Sequence, residues 1–386
     1  MFEQRKLYRM IPLPHTIKSL RESSAIINQK ALLQNARTVY EYTSVPIMPM
    51  LKANGYGHGI VECASVLTDE DYVHSFGVAF VTEAIVLRSQ GITNPIVVLM
   101  PPTEEMFPYI CSYGLQTIAV DIEILTKLNG FAKKRGINIQ AHVFIDTGMR
   151  RYGVKPENVL EFLQRIKSLS NISIIGICTH FATADNPNSS FFDEQFSTFQ
   201  QTVSLAQNNG FEFPVVHCAN SAAIVRTKQS HCNLVRPGLL LYGYHSFSGE
   251  VSHLPLQPVL SFATMVSSLR TVPNQTSVGY SQRYVTNKMT TIATIPIGYG
   301  DGYSRLLEGK SFCLIRGKKF PIVGSICMDA CMVDVGDTQV QIGDEVILIG
   351  NQGGEKITAE ELASSMGTIS YEILTNISDR VQRILA

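Results

Sequence analysis

The residues best suited to chemistry begin at Lys52, within the segment MLKANGYGHG of residues 50–59. The lysine ends an apolar run that starts at Val45 and has the pattern of a short buried strand, and three glycines and Tyr56 follow it. The glycines could supply the backbone angles of a tight turn, with a lysine that extends to water. Alternatively, the lysine is held at the end of the strand as a nucleophile.

Polar side chains recur where four further strands are expected to end, in the segments DTGMRRYG, CTHFA, HCANSAA and VRPGLLLYG. Five such clusters are difficult to explain by packing alone. Because the carboxyl ends of barrel strands meet at one face, the clusters predict a single pocket. Its candidate residues are Lys52, Tyr56, Arg150, Arg151, His180, Asn220, Ser221, Arg236 and Gly238.

The elements that must position these residues are eight short apolar runs that alternate with helix-like segments. This pattern predicts a (β/α)₈ barrel, and an open doubly wound sheet is the alternative on periodicity alone. The predicted strands are Pro46–Leu51, Ser75–Phe80, Pro95–Leu99, Gln116–Val120, Asn138–Ile145, Ile172–Thr179, Phe213–Cys218 and Cys232–Val235.

The pattern changes after about residue 250, where short strands are joined by Gly, Asn and Pro turns. One helix interrupts them at TAEELASSM, where Thr358 and Glu361 fit a capping box. We therefore predict an α/β fold with an N-terminal extension at 1–23, a TIM-type barrel at 24–250 and a mostly β C-terminal domain at 251–386. The first short apolar stretch of the barrel segment could join the β domain.

Composition excludes several classes of partner. The 32 basic and 32 acidic residues cancel, which argues against nucleic acid or an anionic membrane, and no apolar run is long enough to span a bilayer. The eight cysteines are scattered among apolar residues, as expected of buried thiols in a reducing cytoplasm. Cys327 and Cys331 have no matching second pair, so we predict no metal site.

The loops after strands seven and eight suggest an anion site, because barrels commonly bind phosphate there. Ser221 begins an apolar helical run, and Gly238 allows the backbone to approach an anion closely. A phosphate site near the Lys52 amine and Arg236 suggests pyridoxal phosphate (PLP) held as a Schiff base. A dinucleotide loop at GYGHG is disfavoured, since the third glycine and the following acidic residue are not at the required spacing.

Nine motifs together resemble those of the alanine racemase family and follow that family's order: LKANGYGHG, DTGMRRYGV, THFATAD, HCANSAA, VRPGLLLYG, SVGYS, IPIGYGDGY, GSICMDACM and ISYEI. The resemblance extends from about Ser24 to the C-terminus and implies a PLP-binding barrel followed by a β domain. It implies a cytoplasmic homodimer with shared active sites that interconverts L- and D-alanine and supplies D-alanine for peptidoglycan.

The resemblance also implies residue roles for a two-base mechanism. Lys52 would hold PLP and act as one base, and Tyr280 of the partner subunit would be the other. Arg236 would face the pyridine nitrogen, with His180 linking it towards the tyrosine. The phosphate would be held by Tyr56, Ser221, Gly238, Leu239 and Tyr371. The substrate would meet Arg151 and the Met328 amide at its carboxylate, with Tyr299 and Asp329 at the entrance.

The chemistry of racemisation agrees with these roles. A proton leaves one face of a planar carbanion and another arrives at the opposite face, which two bases accomplish most simply. Lysine and tyrosine titrate near 10 in water, so nearby positive charge is needed, and we expect His180 and Arg236 to provide it. An arginine beside the pyridine nitrogen disfavours its protonation and so favours proton exchange over decarboxylation or transamination.

One departure from the family pattern concerns Phe144, which stands where the family usually has a carbamylated lysine that positions the arginine corresponding to Arg151. Another acceptor or a bound anion must then orient Arg151, or its placement is looser. We interpret Arg150 as a solvated surface charge.

Two alternative functions are a racemase for serine or another small amino acid, and a non-catalytic PLP-binding protein. The second would need neither Tyr280 nor a β domain.

Overall fold

Helices and strands alternate through the first part of the chain, and strands predominate after it. The structure, a computed structural model, describes residues 23–245 and 254–386, so the predicted extension lies outside the described residues except for Ser23. The described helices are α1 Gln29–Thr43, α2 Lys52–Tyr56, α3 Ile60–Leu67, α4 Val81–Ser89, α5 Phe107–Ser112, α6 Ile122–Lys133, α7 Val159–Lys167, α8 Phe191–Asn208, α9 Ser221–Arg226, α10 Ala359–Met366 and α11 Ser370–Thr375. The described strands are β1 Ser24–Ile27, β2 Phe76–Val78, β3 Ile96–Val98, β4 Gln116–Ala119, β5 Ile139–Phe144, β6 Ile172–Cys178, β7 Val215–His217, β8 Leu260–Met265, β9 Ser268–Val272, β10 Ser277–Val278, β11 Tyr284–Val285, β12 Thr290–Ile295, β13 Phe312–Ile315, β14 Lys318–Val323, β15 Cys331–Gly336, β16 Glu345–Gln352, β17 Glu355–Ile357 and β18 Gln382–Leu385.

The described chain divides into two compact units, one formed by residues 27–245, 254–260 and 385–386, and the other by residues 23–26 and 261–384. In the first unit, β2 to β7 pair in parallel and in sequence order. The first predicted strand closes the ring. Ile47 bridges to Val235, at the end of the eighth predicted strand, and to Val73 shortly before β2, and Met50 bridges to Gly77 in β2. The predicted (β/α)₈ barrel is therefore confirmed.

The first barrel strand is reduced to these bridges for a physical reason. Pro46 and Pro49 lack the backbone N–H that a continuous parallel ladder requires. The remaining amides still pair, since Met48 N donates to Val235 O over 2.8 Å and Leu51 N donates to Gly77 O over 2.8 Å. The strand thus remains in register up to the residue before Lys52.

The barrel interior is filled by apolar side chains from alternate strands. One cluster combines Met48, Val97, Val215 and Leu234. A second combines Ile118, Phe144 and Cys178, with Leu99, Val120 and Tyr152 packed against it. The second cluster lies at strand ends that carry predicted site residues, so its packing bears directly on the site.

The second unit contains a sheet in the order β18-β1-β8-β16-β13-β14-β15-β12-β9, with β17 paired to β16. The strand β1, from the start of the chain, pairs between β18 and β8 and belongs to this sheet. Thr358 forms the predicted N-cap of α10, since its hydroxyl accepts from Glu361 N over 3.1 Å. The Glu361 carboxylate instead pairs with Lys319 Nζ at 2.5 Å, so the capping box is only half formed.

Candidate active site

Lys52 begins a turn of left-handed backbone that directly follows the first barrel strand. The φ angles of Ala53, Asn54, Gly55 and Tyr56 are 53°, 55°, 62° and 52°. Left-handed helical conformation costs about 1–2 kcal/mol per non-glycine residue, so surrounding contacts must compensate. The glycines of this segment therefore serve a strained turn, and the lysine sits at its first position.

Hydrogen bonds from three directions hold this turn. Within it, Gly55 N donates to Leu51 O over 2.8 Å. At its end, Ile60 N donates to Asn54 Oδ1 over 2.8 Å. From outside, Glu83 Oε1 accepts from the Ala53 amide over 2.7 Å. The turn next to Lys52 is thereby fixed rather than free to extend.

Glu83 is a residue that the sequence analysis missed. It lies in the first turn of α4, where its second oxygen accepts from Ala79 N at 2.8 Å and from Phe80 N at 3.0 Å. Its first oxygen bonds to Ala53, 30 residues earlier in the chain. An acidic residue at the start of a helix is the only sequence signal for this role, and it does not reveal the distant partner.

The surroundings of Lys52 lower the pKa of its amine below the usual lysine value. Burial is the largest cause, and the positive charge of Arg151 is the next. Glu83 opposes this shift, while Arg236 adds to it. Lys52 consequently releases its proton at a lower pH than an exposed lysine would.

A small cradle forms where Tyr56, Ser221 and Gly238 meet. Ser221 Oγ accepts from Gly238 N over 2.8 Å, which leaves the hydroxyl proton able to point at an anion. A Cβ at Gly238 would lie 2.4 Å from Tyr56 Oη, so only glycine permits this approach. The hydroxyls of Tyr56 and Ser221 are therefore concentrated around a bare stretch of backbone, as a phosphate site requires. Leu239 directly follows it, at the start of a short 3₁₀ helix.

Arg236 is buried and held by acceptors on several sides. Its Nη1 donates to His217 Nδ1 over 2.9 Å and to His217 O over 3.0 Å. Its Nη2 donates to Thr179 O over 2.8 Å, to Cys218 O over 3.2 Å and to His180 Nδ1 over 3.3 Å. A guanidinium can only donate, so both histidines accept through Nδ1.

Two buried histidines continue this network away from Arg236. Because His217 accepts at Nδ1, its proton is on Nε2 and is donated to His142 Nδ1 over 3.1 Å. His142 in turn donates from Nε2 to Gln116 Oε1 over 3.1 Å. His142 and His217 were not among the predicted site residues, because their pairing joins strands that are far apart in the sequence.

All three histidines around Arg236 are neutral. Burial, followed by the charge of Arg236, lowers the pKa values of His180 and His217 well below the usual range. Burial lowers the pKa of His142 to about 3. The expectation that His180 supplies positive charge was therefore wrong, because its buried position beside a permanent cation disfavours protonation. The charge around Lys52 comes from Arg151 and Arg236.

Arg151 lies beside an aromatic pair that includes Phe144. Its guanidinium carbon is 4.7 Å from the centroid of the Tyr152 ring. That ring is 5.0 Å from the ring of Phe144. Arg150 is exposed with a φ of 55°, and its amide donates to Asp146 Oδ1 over 2.9 Å.

The remaining predicted site residues lie in the second unit. Tyr280 has a relative exposure of 70% in this single chain, on a short 3₁₀ helix. Tyr299 and Met328 lie on adjacent segments, since Tyr299 N donates to Cys327 O over 3.0 Å and Gly300 N donates to Met328 O over 2.9 Å. Asp329 pairs with Arg380 at 2.5 Å, and Tyr371 lies in α11.

Comparison with known proteins identifies the family. The alanine racemase N-terminal domain model matches residues 27–246, and the alanine racemase C-terminal domain model matches residues 259–385. The chain belongs to the alanine racemase family. The resemblance predicted from the nine motifs is thus confirmed, and alanine racemases are PLP-dependent isomerases that act on alanine.

Individual alanine racemases are similar over most of their length. The enzyme of Halothermothrix orenii is 39% identical over 342 residues, which is 88% of this chain and 90% of that protein. The enzyme of Methanococcus maripaludis is 38% identical over 365 residues, which is 93% of this chain and 97% of that protein. The solved alanine racemase of Clostridium difficile 630 superposes with a TM-score of 0.88 at 34% identity and covers 95% and 96% of the two chains.

In residues 23–245 and 254–386, no helix combines the length and apolar character needed to cross a membrane. Over the same ranges, no group of three or more His, Cys, Asp or Glu side chains is arranged to hold a metal ion.

Proposed function

We propose that this chain interconverts L- and D-alanine through a two-base mechanism in which Lys52 carries PLP and acts on one face of the substrate. The partner subunit's Tyr280 would act on the other face. The observation that supports the proposal most strongly is the position of Lys52. It lies at a barrel strand end, with its pKa lowered by burial and by Arg151 and Arg236.

The residues of the cradle fit the phosphate group of PLP. The Tyr56 and Ser221 hydroxyls and the backbone around Gly238 would bind the phosphate oxygens, with the amide of Leu239 and the side chain of Tyr371 as further donors. The closeness of Gly238 to Tyr56 supports this assignment, because a side chain at residue 238 would fill the space. When bound, PLP withdraws electrons from the substrate α-carbon and makes its proton easier to remove.

Arg236 would keep the pyridine nitrogen of PLP unprotonated. Its guanidinium cannot accept a hydrogen bond, and a second positive charge beside it would be repelled in a buried site. The neutral histidines His180 and His217 support this role, because they hold the guanidinium without adding or removing charge. Limited electron withdrawal into the ring favours simple proton exchange.

The proton at Lys52 Nζ can be gained or released near neutral pH more readily than in an exposed lysine, because its pKa is lowered. Arg151 and the Met328 amide would bind the substrate carboxylate and orient the α-carbon, with Tyr299 and Asp329 at the entrance. The high exposure of Tyr280 in the single chain is compatible with a second subunit covering it. We accordingly propose a homodimer with shared sites that works in the cytoplasm and supplies D-alanine for peptidoglycan.

The test is an assay of the purified protein with PLP and a panel of L-amino acids, analysed by chiral chromatography. We expect D-alanine as the main product, and D-serine in its place would indicate the alternative substrate. Borohydride treatment followed by peptide mapping should place the cofactor on Lys52, and a label on another lysine would contradict the assignment. Lys52→Arg should abolish both the label and racemisation, whereas Lys134→Arg, at an exposed lysine, should change neither.

A further inference from the structure

The side chain that orients Arg151 can be identified from its contacts. In the family pattern a carbamylated lysine positions this arginine, but here that position is Phe144, which is 4% exposed. Phe144 packs in an apolar cluster with Ile118 and Cys178. An anionic carbamate would be poorly solvated in such surroundings, so a different contact must take over its role.

Tyr152 makes the contacts that this role requires. Its ring lies 4.7 Å from the guanidinium carbon of Arg151, within the range of a cation–π interaction. Phe144 also packs against the Tyr152 ring. The two ring centroids are 5.0 Å apart, and the ring planes are tilted by 59°. The hydroxyl donates to Leu99 O over 2.7 Å and fixes the ring at its far end.

We propose that the Phe144–Tyr152 ring pair positions Arg151 for the carboxylate of the substrate, in place of a carbamate. The proposal rests on the function given above, in which Arg151 binds that carboxylate. Tyr152 is a positioning residue, since it acts through Arg151 and does not itself contact the substrate. Phe144 supports Tyr152 from within the barrel.

The electrostatics of the pair agree with this role. Burial raises the pKa of Tyr152, and the charge of Arg151 and its hydrogen bond to the Tyr152 hydroxyl only partly oppose that shift. Tyr152 therefore remains protonated and keeps its hydrogen bond to Leu99 over the working pH range. A neutral ring can hold Arg151 without neutralising the positive charge that a carboxylate needs, whereas a carbamate would neutralise part of it.

The experiment compares Tyr152→Leu, which removes the ring, with Tyr152→Phe, which keeps the ring and removes the hydroxyl. A cation–π contact of this kind corresponds to about a tenfold effect on binding. Tyr152→Leu should raise the KM for both alanine enantiomers about tenfold with a smaller effect on kcat, and Tyr152→Phe should recover most of the loss. Tyr109→Leu is the matched control, because Tyr109 is 48% exposed on α5.

A second measurement separates positioning from a general structural defect. In an Arg151→Gln background, Tyr152→Leu should change KM by less than about twofold, because the cation on which the ring acts is gone. An equal KM effect in both backgrounds would overturn the proposal. Stimulation of the wild-type enzyme by bicarbonate would also overturn it, since that would indicate a carbamate.

Binding of propanoate, a carboxylate without an amine, distinguishes this inference from the proposed function. Calorimetry on the PLP-loaded protein should show about tenfold weaker propanoate binding for Tyr152→Leu than for wild type. If the wild type binds propanoate about tenfold more tightly than Tyr152→Leu but does not racemise alanine, the positioning role holds and the proposed function fails. If the wild type racemises alanine and Tyr152→Leu binds propanoate normally, the positioning role fails alone. Wild-type protein that binds no propanoate would overturn the carboxylate site and the inference with it.

Discussion

The carboxylate of Glu83 accepts a hydrogen bond from the backbone amide of Ala53 over 2.7 Å, directly beside Lys52. The same carboxylate accepts from Ala79 and Phe80, so it fastens the left-handed turn to the start of α4. This contact compensates for a strained backbone at the position where the proposed nucleophile must be held. It also places a negative charge near the lysine.

Glu83→Gln should weaken both effects. A glutamine has one acceptor oxygen in place of two, so either the Ala53 amide or those of Ala79 and Phe80 lose their partner, at a cost of about 1–3 kcal/mol in stability. Because Glu83 raises the pKa of Lys52, its replacement should lower that pKa further. Reductive methylation of the PLP-free protein with labelled formaldehyde, followed by NMR across pH, would measure it.

In that titration the methyl resonance of Lys52 should reach its midpoint at a pH below the usual lysine value of 10.5 in wild type, and at a still lower pH in Glu83→Gln. The exposed Lys134 serves as internal reference, and Glu157→Gln, at an exposed acid, serves as the control substitution. A Lys52 pKa unchanged or raised by Glu83→Gln would contradict the electrostatic role.

The buried histidines predict a dependence of stability on pH. The pKa of His142 falls from 6.5 unfolded to about 3 folded, so the unfolded chain binds a proton that the folded chain does not. Stability is therefore complete above about 6.5 and is lost as the pH falls through the window between these values. One such group contributes a slope of up to about 1.4 kcal/mol per pH unit.

His142→Asn should remove the contribution of one titrating group, about one proton, to this slope. It should also lower stability at neutral pH, because Gln116 Oε1 loses the donor that His142 Nε2 provides. Urea unfolding of the PLP-free protein at pH 7.5 and at 5.5 would give the change in the free energy of unfolding with pH, once for the wild type and once for the variant. Equal slopes for wild type and variant would show that His142 is protonated in the folded state.

Gly238→Ala tests the cradle. The new Cβ would lie 2.4 Å from Tyr56 Oη and 2.9 Å from Tyr56 Cζ, so the ring must move away. We expect PLP affinity to fall at least about tenfold. Absorbance is the measurement, because the chain contains no tryptophan whose fluorescence could report binding. Gly130→Ala is the matched control, since nothing lies within 4 Å of a Cβ there. Unchanged affinity in Gly238→Ala would remove Tyr56 or Gly238 from the phosphate site.

Subunit mixing tests the shared site. Lys52→Ala and Tyr280→Ala proteins should each be inactive, but a mixed dimer would contain one site with both residues intact and one with neither. Random exchange makes about half of the dimers mixed, so activity should approach about a quarter of wild type per subunit. Copurification of a tagged and an untagged variant establishes exchange. If exchange occurs and activity stays at baseline, both bases belong to the same chain.

Much of this molecule could be predicted from the sequence because its signals are local. Alternating strands and helices indicated the barrel, and the prolines at 46 and 49 account for the reduced first strand. Glu83 was missed because its bond to Ala53 spans 30 residues. The neutral state of His180 was missed because charge depends on burial, which a motif does not reveal.

The same limit applies to Tyr152. The sequence showed that Phe144 departs from the family pattern, but the compensating ring follows Arg151 directly and resembles an ordinary turn residue. Its contact with Phe144 joins the end of β5 to the loop beyond it. Such compensation becomes visible only when both side chains are placed in space.

The position of β1 between β8 and β18 has a consequence for synthesis on the ribosome. β1 leaves the ribosome before the barrel, but β8 follows only after the barrel has been made, and β18 comes from the last residues of the chain. Domains generally fold as units while the chain emerges, so the barrel can fold while β1 still has unpaired edges. The nascent protein therefore carries an exposed β-strand throughout most of its translation, which is the period in which a chaperone would protect it best.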